Sequence, residues 1–123
     1  MNRDERKNPT PASEPPLTPA VLHILLALAD GEKHGYAIMQ EVREDTDGAI
    51  RLGPGTLYGS LDRLERAGFV EESDARPAAK NDDERRRYYR LAPPGRRVLR
   101  AEIARLQQSV AIARRKKVLL PAS

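Results

Sequence analysis

The side chains with the most chemistry to offer lie on one short stretch, Gly53-Pro54-Gly55-Thr56-Leu57-Tyr58-Gly59-Ser60-Leu61-Asp62-Arg63-Leu64-Glu65-Arg66-Ala67-Gly68. Thr56, Ser60, Arg63 and Arg66 are small hydroxyl or cationic groups, suited to phosphate oxygens and base edges. A second set is Arg85-Arg86-Arg87-Tyr88-Tyr89-Arg90, with Lys80 shortly before it, where guanidinium groups stand beside aromatic rings. Such a run attracts a polyanion. Other chemistries are poorly supplied. There is no cysteine, which excludes disulfides, thiolate metal sites and cysteine nucleophiles. The two histidines, His23 and His34, lack zinc-ligand spacing, and neither a phosphate loop nor a recognisable carboxylate pair is present. No enzyme, cofactor or metal is therefore expected.

These groups need elements to hold them. Pro54 suits a first helical turn, Gly53 can act as a weak N-cap, and Gly68 suits the left-handed residue that ends a helix. Leu57, Leu61 and Leu64 at i, i+4 and i+7 share an inward face, which places Thr56, Ser60, Arg63 and Arg66 on the opposite one. The pattern predicts a helix over 54–67 that is shaped to enter a DNA groove. An ordinary amphipathic surface helix has the same pattern, so this stretch alone leaves both readings open.

Upstream, residues 1–16 hold four prolines and no apolar periodicity, and a disordered arm is expected. Thr18 followed by Pro19 reads as an N-cap and first helical residue, opening a helix to about Ala29, before Asp30-Gly31. It is apolar nearly all round, so a second subunit is expected to cover part of it, with Val21 and Leu25 at the contact. His23 within it reads as packed. A second helix is expected from near His34-Gly35-Tyr36, with His34 shaping its start, to Asp47-Gly48, with Ile38, Met39 and Val42 inward. Ile50-Arg51-Leu52 suffices for a turn or a small strand.

Downstream, Phe69 to Ser73 and Arg85 to Leu91 read as two strands of a hairpin whose long tip spans 74–84. In an alternating strand one of Tyr88 and Tyr89 faces inward. The last segment, Pro93 to about Lys117, reads as a long helix. Its apolar positions Leu99, Ile103, Leu106, Val110 and Ala113 form a heptad-like seam that seeks another helix; packing back on its own domain is the alternative.

Length and charge agree with one domain plus tails. The chain has 123 residues, 39% of them hydrophobic. Residues 17–79 carry six Lys or Arg against eleven Asp or Glu, whereas 96–117 carry eight against one, so the net charge of +4 conceals a basic last third. That distribution favours a nucleic-acid partner, with a solvated basic helix face as the plain alternative. The longest apolar run, 20–29, is short of a membrane span, and the proline-rich start is unlike a signal peptide; a soluble cytoplasmic protein is expected.

Two helices, a recognition-type helix, a basic hairpin and a final helix describe a mainly α protein with a small β-hairpin: a winged helix-turn-helix over 17–92, a dimerisation helix over 93–118 and a tail at 119–123. Over roughly residues 17–100 the sequence resembles the PadR-like transcriptional regulators. The anchors are His34-Gly35-Tyr36, Pro54-Gly55-Thr56-Leu57-Tyr58, Leu61 and Leu64 followed by Gly68, Arg87-Tyr88-Tyr89-Arg90-Leu91, and Gly95. Gly53, Gly59 and Ala92 depart from the family's usual residues, and Gly59 inside a helix costs about 1 kcal/mol relative to alanine.

The resemblance implies a homodimeric repressor of operator DNA, with helix 54–67 in the major groove and the hairpin on the backbone or minor groove. It also implies that the first and last helices build the dimer. The DNA-binding residues expected on these grounds are Tyr36, Thr56, Tyr58, Ser60, Arg63, Lys80, Arg85, Arg86, Arg87 and Tyr88. Val21, Leu25, Leu99, Ile103, Leu106 and Val110 are expected at the dimer contact. A small-molecule effector is compatible with the family, though a chain with one phenylalanine and no tryptophan is poorly equipped to hold a planar drug. A winged-helix protein-interaction module without DNA binding is the competing reading.

Overall fold

Thr18 and Pro19 start the first helix as their order predicts. In the computed structural model, which describes residues 16–73 and 87–119, Thr18 is extended and its Oγ1 accepts the Val21 N–H at 3.2 Å, so that α1 spans Pro19–Leu28. Ile24, Leu25, Ala27 and Leu28 are buried within the single chain. This corrects the placing of Leu25 at a dimer contact. A helix packed against α2, α4 and β3, as α1 is, finds most of its cover in its own domain.

A two-residue strand, β1 (Lys33–His34), precedes α2 (Gly35–Asp45), whose N-cap is His34: Nδ1 accepts the Ala37 N–H at 3.3 Å. Ile38 and Val42 fill the inward face. The helix closes through Asp47 (φ 52°) and Gly48 (φ 81°), with the Gly48 N–H on the Arg43 carbonyl at 2.8 Å. Residues 50–52 form no regular strand, and Ile50 and Leu52 pack against the core.

α3 (Pro54–Arg66) buries Leu57, Leu61 and Leu64, the predicted stripe, and passes through Gly59 without interruption. Gly68 takes the left-handed conformation (φ 85°) that a β-carbon would oppose. Its N–H meets the Glu65 carbonyl at 3.0 Å while the Phe69 N–H meets that of Leu64 at 2.9 Å, the paired closure of a Schellman end.

The sheet has three strands rather than a bare hairpin. β2 (Val70–Ser73) and β3 (Tyr88–Leu91) pair antiparallel with Val70 opposite Leu91 and Glu72 opposite Tyr89, and β1 joins the far edge of β3 with His34 opposite Tyr88. The tip, including Lys80, Arg85 and Arg86, lies outside the described residues, as do the arm at 1–15 and residues 120–123.

α4 (Pro93–Arg115) leaves the sheet at Gly95, which packs against the Phe69 carbonyl so closely that a β-carbon would collide with it. Val98 and Leu99 are buried. Leu99 thus belongs to the core cluster of α1, α2, α3, Val70 and Tyr89, which corrects its assignment to the dimer seam. Beyond Ile103 the apolar row emerges: Leu106 and Val110 are each 41% exposed.

Candidate nucleic-acid interface

The front of α3 is low and open. Gly53 contributes no side-chain cap, and β-carbons at Gly53 or Gly55 would meet nothing. The backbone N–H groups of Gly55 and Thr56 therefore stand at a helix N-terminus whose partial positive charge favours a phosphate. Thr56 is exposed. Ser60 is not: it is 4% exposed and its Oγ accepts from Arg63 Nη2 at 3.3 Å. The placing of Ser60 on the outer face is therefore corrected. Standing three residues after Leu57 and four before Leu64, it shares their stripe. Its hydroxyl steadies Arg63, which is exposed. Arg66 is engaged by Asp62 at 2.6 Å in an exposed i,i+4 pair.

Beside this helix runs an aromatic patch. The Tyr58 ring lies over Gly35 at the start of α2, where a β-carbon would collide with its hydroxyl, yet Tyr58 is 40% exposed. Tyr36, one residue on, is 57% exposed and stacks on His34 at a centroid distance of 6.5 Å. His34 meets the Tyr88 ring edge-on at 5.3 Å. Tyr58, Tyr36 and Tyr88, expected at the DNA surface, are thus joined through Gly35 and His34 into one surface linking α3, α2 and the sheet. His34 Nδ1 accepts the Ala37 N–H, so in the neutral ring the proton is on Nε2.

Between the two hairpin tyrosines the structure makes the choice that alternation left open. Tyr89 is 3% exposed and Tyr88 half-buried. Burial foremost holds the Tyr89 phenol above its ordinary range, moderated by a hydrogen bond with Arg87, which in turn raises the Arg87 guanidinium further. Arg87 also faces Glu72 at 3.5 Å, and Arg90 pairs with Glu71 at 2.9 Å. The hairpin's arginines need acids to balance them, and their sequence neighbours Asp82, Asp83 and Glu84 lie outside the described residues. In the structure Glu71 and Glu72 on β2 do this, because the register sets them opposite Arg90 and Tyr89. Exposed pairs of this kind are weak and screened, so a phosphate can replace the carboxylate.

Along α4, Ile103, Leu106 and Val110 continue an apolar row, and Val21 on α1 is half-buried. A groove of about 370 Å³ lies between α1 and α4, lined by Leu26, Leu99 and Ile103 together with Arg96 and Arg100. Among the described residues no group of His, Asp and Glu side chains is arranged to hold a metal, and no helix is long and apolar enough to cross a membrane.

Comparison with known proteins gives a consistent result. Residues 24–101 match the model of the transcriptional regulator PadR-like family. The sequence is 39% identical to the transcriptional regulator Rv3488 of Mycobacterium tuberculosis over 87 residues, 71% of this chain and 75% of that one. It is 44% identical over 83 residues to a 37.1 kDa protein in transposon TN4556 of Streptomyces fradiae, covering 68% of this chain but only 21% of that protein. Among solved structures, a PadR family transcription regulator from Clostridium difficile superposes with a TM-score of 0.65 at 22% identity, covering 80% of this chain and 97% of that one. Bacillus subtilis PadR in complex with operator DNA superposes with a TM-score of 0.54 at 23% identity, covering 65% and 44%.

Proposed function

The chain belongs to the PadR-like family of transcriptional regulators, and from that premise we propose that it is a homodimeric repressor that binds double-stranded operator DNA in the cytoplasm. A PadR-like regulator is not an enzyme, so the site is one of recognition. The observation that carries the proposal is the exposed aromatic patch of Tyr58, Tyr36 and Tyr88, which joins α3, α2 and the sheet, on the same helix α3 that exposes Thr56 and Arg63 near its open front. In this reading α3 enters the major groove, Thr56 and Arg63 meet base edges, and the tyrosines with Arg87 meet the backbone. Lys80, Arg85 and Arg86 extend the hairpin contact. That the structurally similar Bacillus subtilis protein was solved with operator DNA supports the assignment.

The dimer forms through Ile103, Leu106 and Val110 of α4 with Val21 of α1, which places two recognition helices on one face of the duplex. A small-molecule effector relieves binding, and the groove between α1 and α4 is large enough for one. The neutralisation of Arg87 and Arg90 by Glu72 and Glu71 favours a second reading, a winged-helix protein-interaction module. Titration of promoter fragments selected from the host genome against salt separates the two. Operator binding predicts an affinity that falls steeply with ionic strength, and Thr56→Ala should then cost about 1–3 kcal/mol at one operator position only. Salt-independent or absent binding refutes the repressor.

A further inference from the structure

α4 is tied to both ends of α1 by polar groups. At the end of α1, Arg96 Nη2 donates to the carbonyl of Ala29, the C-cap residue, at 3.0 Å. At its beginning, the Leu17 N–H donates to Glu102 Oε1 at 3.3 Å, and the same oxygen accepts from Arg105 Nε at 3.1 Å and Nη2 at 2.7 Å. Glu102 is 5% exposed. The signs suit the helix they hold, an anion at the N-terminus of α1 and a cation at its C-terminus.

Between the two ties the apolar contact is incomplete, because the 370 Å³ groove opens where Leu26 faces Leu99 and Ile103. Apolar contact is non-directional and tolerates a change of crossing angle, whereas a tilt would leave the Leu17 N–H without its acceptor, since Arg105, the other donor to Glu102, lies on α4 and moves with it. Gly95 against the Phe69 carbonyl fixes where α4 starts, and the two ties set the angle at which it runs along α1 from there. In a dimer joined through α4, that angle decides how far apart the recognition helices stand. A tilt of about 6° carried over the roughly 30 Å diameter of a small domain moves a helix by about 3 Å, close to the ~3.4 Å rise of one base pair.

We infer that Arg96 and Glu102 are positioning residues that fix the half-site spacing of the operator by locking α4 to the two ends of α1. The inference rests on the dimeric DNA-binding reading above, so its test includes a measurement that needs no DNA. The chain lacks cysteine, which allows spin labels at Ala67→Cys after α3 and Gln108→Cys on α4, both exposed and the second opposite the apolar row. Labelled chains are diluted in unlabelled ones so that the distance within one chain is read. Parent protein should give a narrow distribution, and Arg96→Met/Glu102→Leu a broad one. Arg96→Met alone, at an exposed position, should broaden it partly without endangering the fold. Glu102→Gln keeps the Oε1 acceptor and should restore the parent distribution.

In parallel, symmetric operators with the spacer lengthened or shortened by one base pair should be discriminated by the parent about tenfold. The double variant should discriminate less than about threefold while binding a single half-site as the parent does. Folded variants that keep both the parent distance distribution and its spacing preference overturn the inference, as does equal broadening in Glu102→Gln. If the parent binds no operator, the repressor reading fails, and the label distances alone still decide whether Arg96 and Glu102 fix the angle.

Discussion

Gly35→Ala tests how α2 and α3 are joined at the aromatic patch. Gly35 is the first residue of α2 and has no left-handed conformation to protect, so an alanine there is penalised only by what its β-carbon meets. That atom falls on the Tyr58 hydroxyl oxygen and within 2.6 Å of Cζ and 3.0 Å of Cε1. The obstacle is the far end of a 40% exposed side chain, so the ring swings outward and the helices keep their places. The lost ring contact and altered rotamer cost about 1–2 kcal/mol, against a gain of up to about 1 kcal/mol from alanine's helix propensity. Net destabilisation should be about 0.5–1 kcal/mol, or roughly 2–8 °C in Tm. Operator affinity should fall by more than this, because the displaced ring belongs to the proposed interface. Urea unfolding of the four proteins in a double-mutant cycle with Tyr58→Ala gives the coupling: in the Tyr58→Ala background Gly35→Ala should be neutral or stabilising, a coupling of about 1–2 kcal/mol. Equal destabilisation in both backgrounds would refute the steric account, and unchanged operator affinity in Gly35→Ala would remove Tyr58 from the interface.

Gly95→Ala should be far more costly, about 3 kcal/mol in urea unfolding, because its β-carbon meets the Phe69 carbonyl, and backbone that also accepts the Ala92 N–H at 3.0 Å has nowhere to go. Leu106→Asp, at a position outside the core cluster, should leave the circular dichroism spectrum unchanged and convert a sedimenting dimer to a monomer. Burial foremost keeps the Tyr89 proton bound above its ordinary pKa of 10.0. The unfolded chain therefore loses that proton first, so stability is unaffected below about pH 10 and declines as the pH rises above it. Tyr89→Phe should flatten that alkaline decline in urea titrations, and an equal decline in the variant would show that another group governs it.

Thr18-Pro19, the Leu57-Leu61-Leu64 stripe and Gly68 were legible because each acts over a few residues: a cap reaches three positions, a stripe follows the helical repeat, and a left-handed residue answers to its own φ. The order of elements was legible for the same reason. Ser60 marks where that locality ends, since the width of the buried stripe depends on what packs against it. β1 was not foreseen because two residues carry no alternation, and they become a strand only when Tyr88 and Tyr89 of β3 lie alongside.

Sequence by itself determined the helices, their caps, the basic last third and, through ordered anchors, the family. Tertiary structure decided which apolar residues are core and which are surface. Leu25 and Leu99 have the same chemistry as Leu106, and only the packing of α1 between α2, α4 and β3 closes over the first two. Tertiary structure also decided which charges are engaged, since Glu102 finds the Leu17 N–H across 85 positions and Glu71 meets Arg90 through strand register. Partners of this kind are set by distances in space, which no local pattern encodes: a burial preference states that a residue needs cover, and only the fold supplies it.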